Sequence, residues 1–188
     1  MIGIASLWLP IVLAAVIVFV ASSVIHMAPL WHRSDYSVMP READFMAAVR
    51  PFGLPPGDYF VPWSARMKDM KSPEFQEKMR QGPVALVSVL PNGPLSMGKP
   101  LLLWFIYLLV VCSLTALIAG RTLPPGTVYP RVFKVVLVVS FMGYSLALLQ
   151  NSIWLRRSWV VTLKGCFDGL IYAALTAGTF GWLWPHAS

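Results

Sequence analysis

The sequence predicts an all-α membrane protein with four transmembrane helices and a small mixed extramembrane cap between helices 1 and 2. Three observations lead there. Only 12% of the 188 residues are charged and 57% are hydrophobic, whereas an ordinary soluble domain has about 25% charged residues. The apolar residues gather in four long runs instead of recurring at helix or strand period. Each run supplies the roughly 20 residues a helix needs to cross about 30 Å of hydrocarbon. Finally, seven of the eight acids and nine of the fifteen bases fall between the first run and the second.

The first helix is expected over residues 1–26. A signal peptide would carry a basic amino end and an apolar region of about 7–15 residues. This run is longer and has no Lys or Arg before it, so a retained helix is expected. Pro10 lies near its start, where a kink costs least.

Residues 27–100 form the cap. Its aromatic residues, among them Tyr36, Phe52, Tyr59, Trp63 and Phe75, give it surface to bury, so it is expected to be ordered. Short helices are predicted near 41–50 and 73–81. The second has the stronger start, with Ser72 as N-cap, Pro73 in the first turn and Glu74 near the positive dipole end. Gly82-Pro83 stops it. A strand is predicted over 84–90, and Tyr59–Val61 is the candidate partner that a lone strand needs.

The remaining transmembrane helices are expected over 101–120, 131–152 and 160–184. Four crossings put both termini on one side. The bases flanking the cap, Arg33, Arg41 and Lys99, make the cap side cytoplasmic by the positive-inside rule, with the termini external. The net charge of +7 is explained by the same headgroup-facing bases. There is no basic run or nucleic-acid motif, so no nucleic-acid partner is expected. Membrane lipid is the expected environment, and a homodimer or larger membrane complex the expected assembly.

Asp168 is the only acid outside the cap. A carboxylate inside a membrane helix costs at least about 2.5–3.5 kcal/mol unless it faces protein or water. Lys164, one turn earlier, shares its face, and His26 and Ser22 lie at similar depth on helix 1. These four residues are the candidate proton or ligand site. The alternative is a polar clamp holding helix 4 in place. His26, His32 and Asp35 are the candidate ligands if a metal binds, but Pro29 breaks any helical register between the histidines, and neither metal nor cofactor is expected. Met67, Met70 and Met79 fit apolar packing better than soft-metal binding. Gln150, Asn151 and Ser152 fit helix-end capping. Cys112 and Cys166 read as small core residues.

Helix 4 also carries small residues in register: Gly165, Gly169, Ala173, Ala177 and Gly181. Such a ridge lets another helix approach closely, either within the chain or in a second copy. No nucleophile elbow, zinc-protease motif, P-loop or dinucleotide fingerprint is present, which leans against an enzyme. Nor is there an internal repeat of the transporter kind.

Several landmarks resemble those of small, uncharacterised bacterial inner-membrane proteins with four helices and a cap after helix 1. They are Ser22-Ser23-Val24-Ile25-His26-Met27, Met67-Lys68-Asp69-Met70, Ser72-Pro73-Glu74, Gly82-Pro83, Pro91-Asn92-Gly93 and Phe167-Asp168-Gly169. The resemblance implies a bacterial inner-membrane location and carries over no activity. Two functions are therefore expected. The first is an accessory or structural protein binding a partner or itself through helix 4 and the cap. The alternative is a small proton- or ion-handling protein using Asp168 with His26.

Overall fold

A computed structural model describes residues 2–27 and 31–186. In chain order the elements are α1 (Trp8–Met27), α2 (Glu42–Val49), β1 (Gly57–Val61), α3 (Pro73–Gln81), β2 (Ala85–Val89), α4 (Gly98–Thr122), α5 (Tyr129–Ser145), α6 (Leu149–Leu155) and α7 (Trp159–Trp182). The chain divides into two compact units, residues 1–37 with 96–188, and residues 38–95. The expected cap limits were 27 and 100, so the segment just after α1 belongs with the helices.

The helical unit has four segments long and apolar enough to cross a membrane: Ile4–Met27, Gly98–Thr122, Tyr129–Leu155 and Trp159–Trp182. α1 packs on α4 and α7, and α5 packs on the same two helices, which closes a four-helix ring. At one end the chain ends and the α4–α5 turn lock together. Ile2 N–H donates to the Gly120 carbonyl at 2.7 Å, and Gly126 N–H to that of Pro185 at 2.8 Å. The Trp184 indole donates to the Pro124 carbonyl at 3.1 Å. Ala14, Ala15, Ala116, Ala119 and Ala177 are fully buried here and toward the middle, because small side chains allow close helix approach.

The ridge on α7 is occupied within the chain. A Cβ on Gly169 would stand 2.0 Å from the Ser145 hydroxyl, one on Gly165 3.2 Å from Leu148, and one on Gly181 2.7 Å from the Tyr129 ring. All three neighbours belong to α5 or to the turn that follows it. That turn also departs from the expected single helix over 131–152. After Ser145 the chain tightens into a 3-10 turn, Leu146–Leu148, before α6 begins. α7 meets the polar groups of this break, since the Ser145 carbonyl accepts from the Cys166 thiol at 3.7 Å and the Ser145 hydroxyl donates to the Cys166 carbonyl at 3.4 Å. Backbone groups freed inside an apolar helix need such partners.

The unit of residues 38–95 is built on an antiparallel pair in which Gly57 faces Val89, Tyr59 faces Val87 and Val61 faces Ala85. Its best-defined helix start is that of α3, where the Ser72 hydroxyl accepts from Phe75 N–H at 3.2 Å. Gly82 ends the helix at φ +61, a left-handed conformation that glycine adopts at least cost. Met67 and Met70 line an apolar groove with Phe60, Trp63 and Phe75.

Candidate functional site

Asp168 lies in the third turn of α7 and is only 3% exposed. Two donors reach it from the segment just after α1. The Trp31 indole donates to Oδ1 at 3.0 Å, and His32 Nε2 stands 3.0 Å from Oδ2. The histidine approach is off the ring N–H axis, so Nε2 makes a close contact there but no aligned hydrogen bond. The other ring nitrogen, Nδ1, sits 2.6 Å from Asp35 Oδ2. His32 therefore stands between two carboxylates.

Lys164 shares a face with Asp168, as its spacing requires, but gives its hydrogen bonds elsewhere. Its ammonium donates to the Trp31 carbonyl at 2.8 Å, to the Ser34 hydroxyl at 2.8 Å and to Asp35 Oδ1 at 3.1 Å. It also lies 5.9 Å from the centre of the Trp31 ring, within reach of a cation–π attraction. Together Lys164 and Asp168 hold residues 31–35 against α7. Burial alone would raise the Asp35 pKa. Hydrogen bonds from His32 and Lys164, with their charges, outweigh that and hold it below its ordinary 3.8.

His26, at the end of α1, stacks on His32 with ring centres 4.5 Å apart and planes 8° apart. Its Nδ1 is 2.9 Å from the Ser22 carbonyl. The contact to Asp168 expected of His26 is thus made by His32, with His26 behind it. Ser22 is not at the carboxylate either. Its hydroxyl donates to the Phe19 carbonyl at 2.9 Å and accepts from the Trp104 indole at 2.9 Å. Ser152 donates to Thr162 at 2.7 Å, and the Asn151 carbonyl accepts from Arg157 N–H at 3.2 Å, so this polar run closes a helix end.

One ligand atom each from His26, His32 and Asp168 lies within 4.8 Å of the others. An imidazole binds zinc in its own ring plane at about 2.0–2.1 Å. Two stacked, nearly parallel rings do not share such a point, so His26 would have to turn before this trio could grip an ion. Beside His32 the cluster gathers two carboxyl groups, Asp35 and Asp168, and one amino group, Lys164.

The site borders a cavity of about 820 Å³ in the helical unit, lined by α1, α4, α5, α6 and α7. Trp31, Trp104 and Tyr172 join the site without being expected from the sequence. Tyr172 had a readable signal, since it stands four residues after Asp168 and so shares its helix face.

No protein-family profile matches this chain, and neither a curated protein nor a solved structure is similar to it.

Proposed function

We propose that the chain is a multi-pass membrane protein that handles protons through His32, held between Asp35 and Asp168. Membrane insertion is supported by the outward faces of the helices. On α1, Trp8, Val12, Val16, Val20 and Val24 are all exposed at four-residue spacing. Such a stripe suits hydrocarbon and would be costly in water. We assign it to a bacterial inner membrane, with residues 38–95 cytoplasmic and both termini external, on the resemblance and the flanking bases.

The observation that carries the proton reading is the geometry of His32, with Nδ1 and Nε2 at 2.6 and 3.0 Å from two different carboxylates. Histidine changes charge near neutral pH, and the cluster has room for one added positive charge. The stacked His26 ring opposes a second, because like charges that close repel. Asp35, which stays ionised, then steadies the charged ring through Nδ1, and Asp168 faces Nε2 within the bundle.

Liposomes holding the purified protein and a pH-sensitive dye test this. Wild type should dissipate an imposed pH gradient at least about tenfold faster than Asp168→Asn or His32→Gln. Both variants should keep the elution volume and helical content of wild type. Wild-type liposomes no leakier than empty ones would falsify the reading.

A second reading, an accessory protein that binds a partner or a second copy, is favoured by exposed aromatic and sulfur side chains in the 38–95 unit. Phe52, Trp63 and Met67 are 73%, 74% and 84% exposed. Wild type should then run larger in mild detergent than a Trp63→Asp, Met67→Asp double variant. Equal sizes remove this reading.

A further inference from the structure

We infer that the cavity in the helical unit binds a membrane-soluble quinone or phenol, a planar ring that carries a hydrogen-bonding oxygen. This inference stands on the cavity walls, which His32 and Asp168 also line, and it does not require proton movement through His32.

The cavity volume of about 820 Å³ falls within the roughly 300–1,000 Å³ of small-molecule sites. Its inner wall is an aromatic circuit. Trp104 stacks beside Tyr107 at 5.3 Å, and Tyr107 meets Tyr144 at 6.3 Å. Tyr144 meets Tyr172 at 6.0 Å, and Tyr172 returns to Trp104 at 6.1 Å. Three helices supply these four rings, so the circuit is a product of the fold and of no single sequence run. Aromatic surfaces favour flat, polarisable partners in offset or edge-on contact.

The polar atoms of the four rings decide what kind of flat partner fits. The Trp104 indole donates to Ser22. The Tyr107 hydroxyl donates to the Gly143 carbonyl at 2.6 Å. Tyr144 shares its hydroxyl with Thr176 and Cys112 at 3.3 and 3.6 Å. Tyr172 is different: it is only 4% exposed, and its hydroxyl has no partner among the described residues. A buried hydroxyl is normally satisfied. Asp168 stands one turn away on the same helix face, and the unaligned Nε2 of His32 lies beside it. One wall of the cavity therefore presents unfilled hydrogen-bonding capacity next to apolar and aromatic surface.

An acyl chain would fill the volume but leave Tyr172 unpartnered. A fully polar solute would satisfy Tyr172 but gain nothing from the rings. A quinone or phenol meets both demands, with its oxygen accepting from the Tyr172 hydroxyl and its ring against the circuit. An apolar substituent on that ring would extend along Leu101 and Leu148, which also line the cavity.

The test uses the full-length protein in nanodiscs with an azido-benzoquinone, irradiated and mapped by mass spectrometry. Labelling should concentrate on the peptides that hold Trp104, Tyr107 and Tyr172, and an excess of decyl-benzoquinone should suppress it. Tyr172→Phe should weaken that competition about tenfold, the loss of one hydrogen bond. Leu101→Trp, which adds bulk to the cavity wall one turn before Trp104, should reduce labelling while leaving proton leakage through His32 as in wild type. Labelling spread over outward residues such as Val110 and Leu114, or suppressed by phospholipid and not by decyl-benzoquinone, would overturn the proposal.

Discussion

The two halves of the helical bundle are filled differently, although α7 stays in close contact with α5 at Gly169. Toward the termini, alanine and glycine let the helices close until a Cβ on Gly120 would lie 2.6 Å from the Ile2 carbonyl oxygen. Toward the other end the same helices carry Ser22, His26, Trp104, Tyr144, Asp168 and Tyr172 around an open cavity. Close packing of small residues gains dispersion contacts and excludes solvent. Large rings and buried polar atoms hold helices apart and need partners. The first arrangement favours rigidity, and the second leaves open space between the helices. The 3-10 turn after Ser145 lies in the looser half and faces α7 beside Gly169. There the helix gives up regular hydrogen bonding, and α7 replaces part of it.

The contrast can be broken by moving one side chain between the halves. Gly120→Leu places atoms against backbone at the closed end and should destabilise the protein by about 3 kcal/mol, the upper part of the overpacking range. Ser23→Leu puts a similar volume beside the cavity and should cost less than about 1 kcal/mol. Thermal unfolding in one detergent compares them, and equal losses would mean the cavity end is as tightly filled as the other. Lys164→Met comes next. It leaves Asp35 without its ammonium partner, in a pair whose side chains are 16% and 10% exposed. Breaking a fully buried pair costs about 3–5 kcal/mol, and the partial exposure here reduces that to roughly 2 kcal/mol. Limited proteolysis should then cut between residues 27 and 37 faster than in wild type.

The smallest effect sharpens the contrast through pH. Asp35 is held below its ordinary 3.8 by His32 and Lys164. Its contribution is fully present above the unfolded value and is lost as pH falls through the lowered folded value. Acidification from about pH 5 to about pH 2 should therefore lower the melting temperature of wild type. In Asp35→Asn that part of the fall should be missing. A wild-type profile identical to the variant's would show that Asp35 contributes nothing to stability.

The helices were legible because run length alone decides whether a segment can span hydrocarbon. The start of α3 was legible because Ser72, Pro73 and Glu74 each act within one turn. The pairing of 57–61 with 85–89 followed from there being one plausible partner for the second strand. The need of Asp168 for a partner was also readable, since a lone carboxylate in an apolar helix is costly. Its actual partners were not readable. Trp31 and His32 lie 137 and 136 residues away in sequence, and the path of the chain after α1 decides which ring arrives. The spacing of His26, His32 and Asp35 carries no such information once Pro29 breaks the helix. The glycine-alanine ridge likewise announced close approach without saying to what. Ser145, Leu148 and Tyr129 show that α5 and the turn after it take that place.

The indole that donates to Asp168 has one more consequence. Excitation of an indole moves electron density from its pyrrole ring toward its benzene ring, so its emission colour depends on the charges around it. Trp31 has a carboxylate at its N–H and an ammonium 5.9 Å from its ring centre. Neutralising Asp168 changes one of those two charges and leaves the other in place. The protein thus carries its own optical probe of whether that carboxylate holds a proton, readable as a shift in emission wavelength that Trp31→Phe would remove.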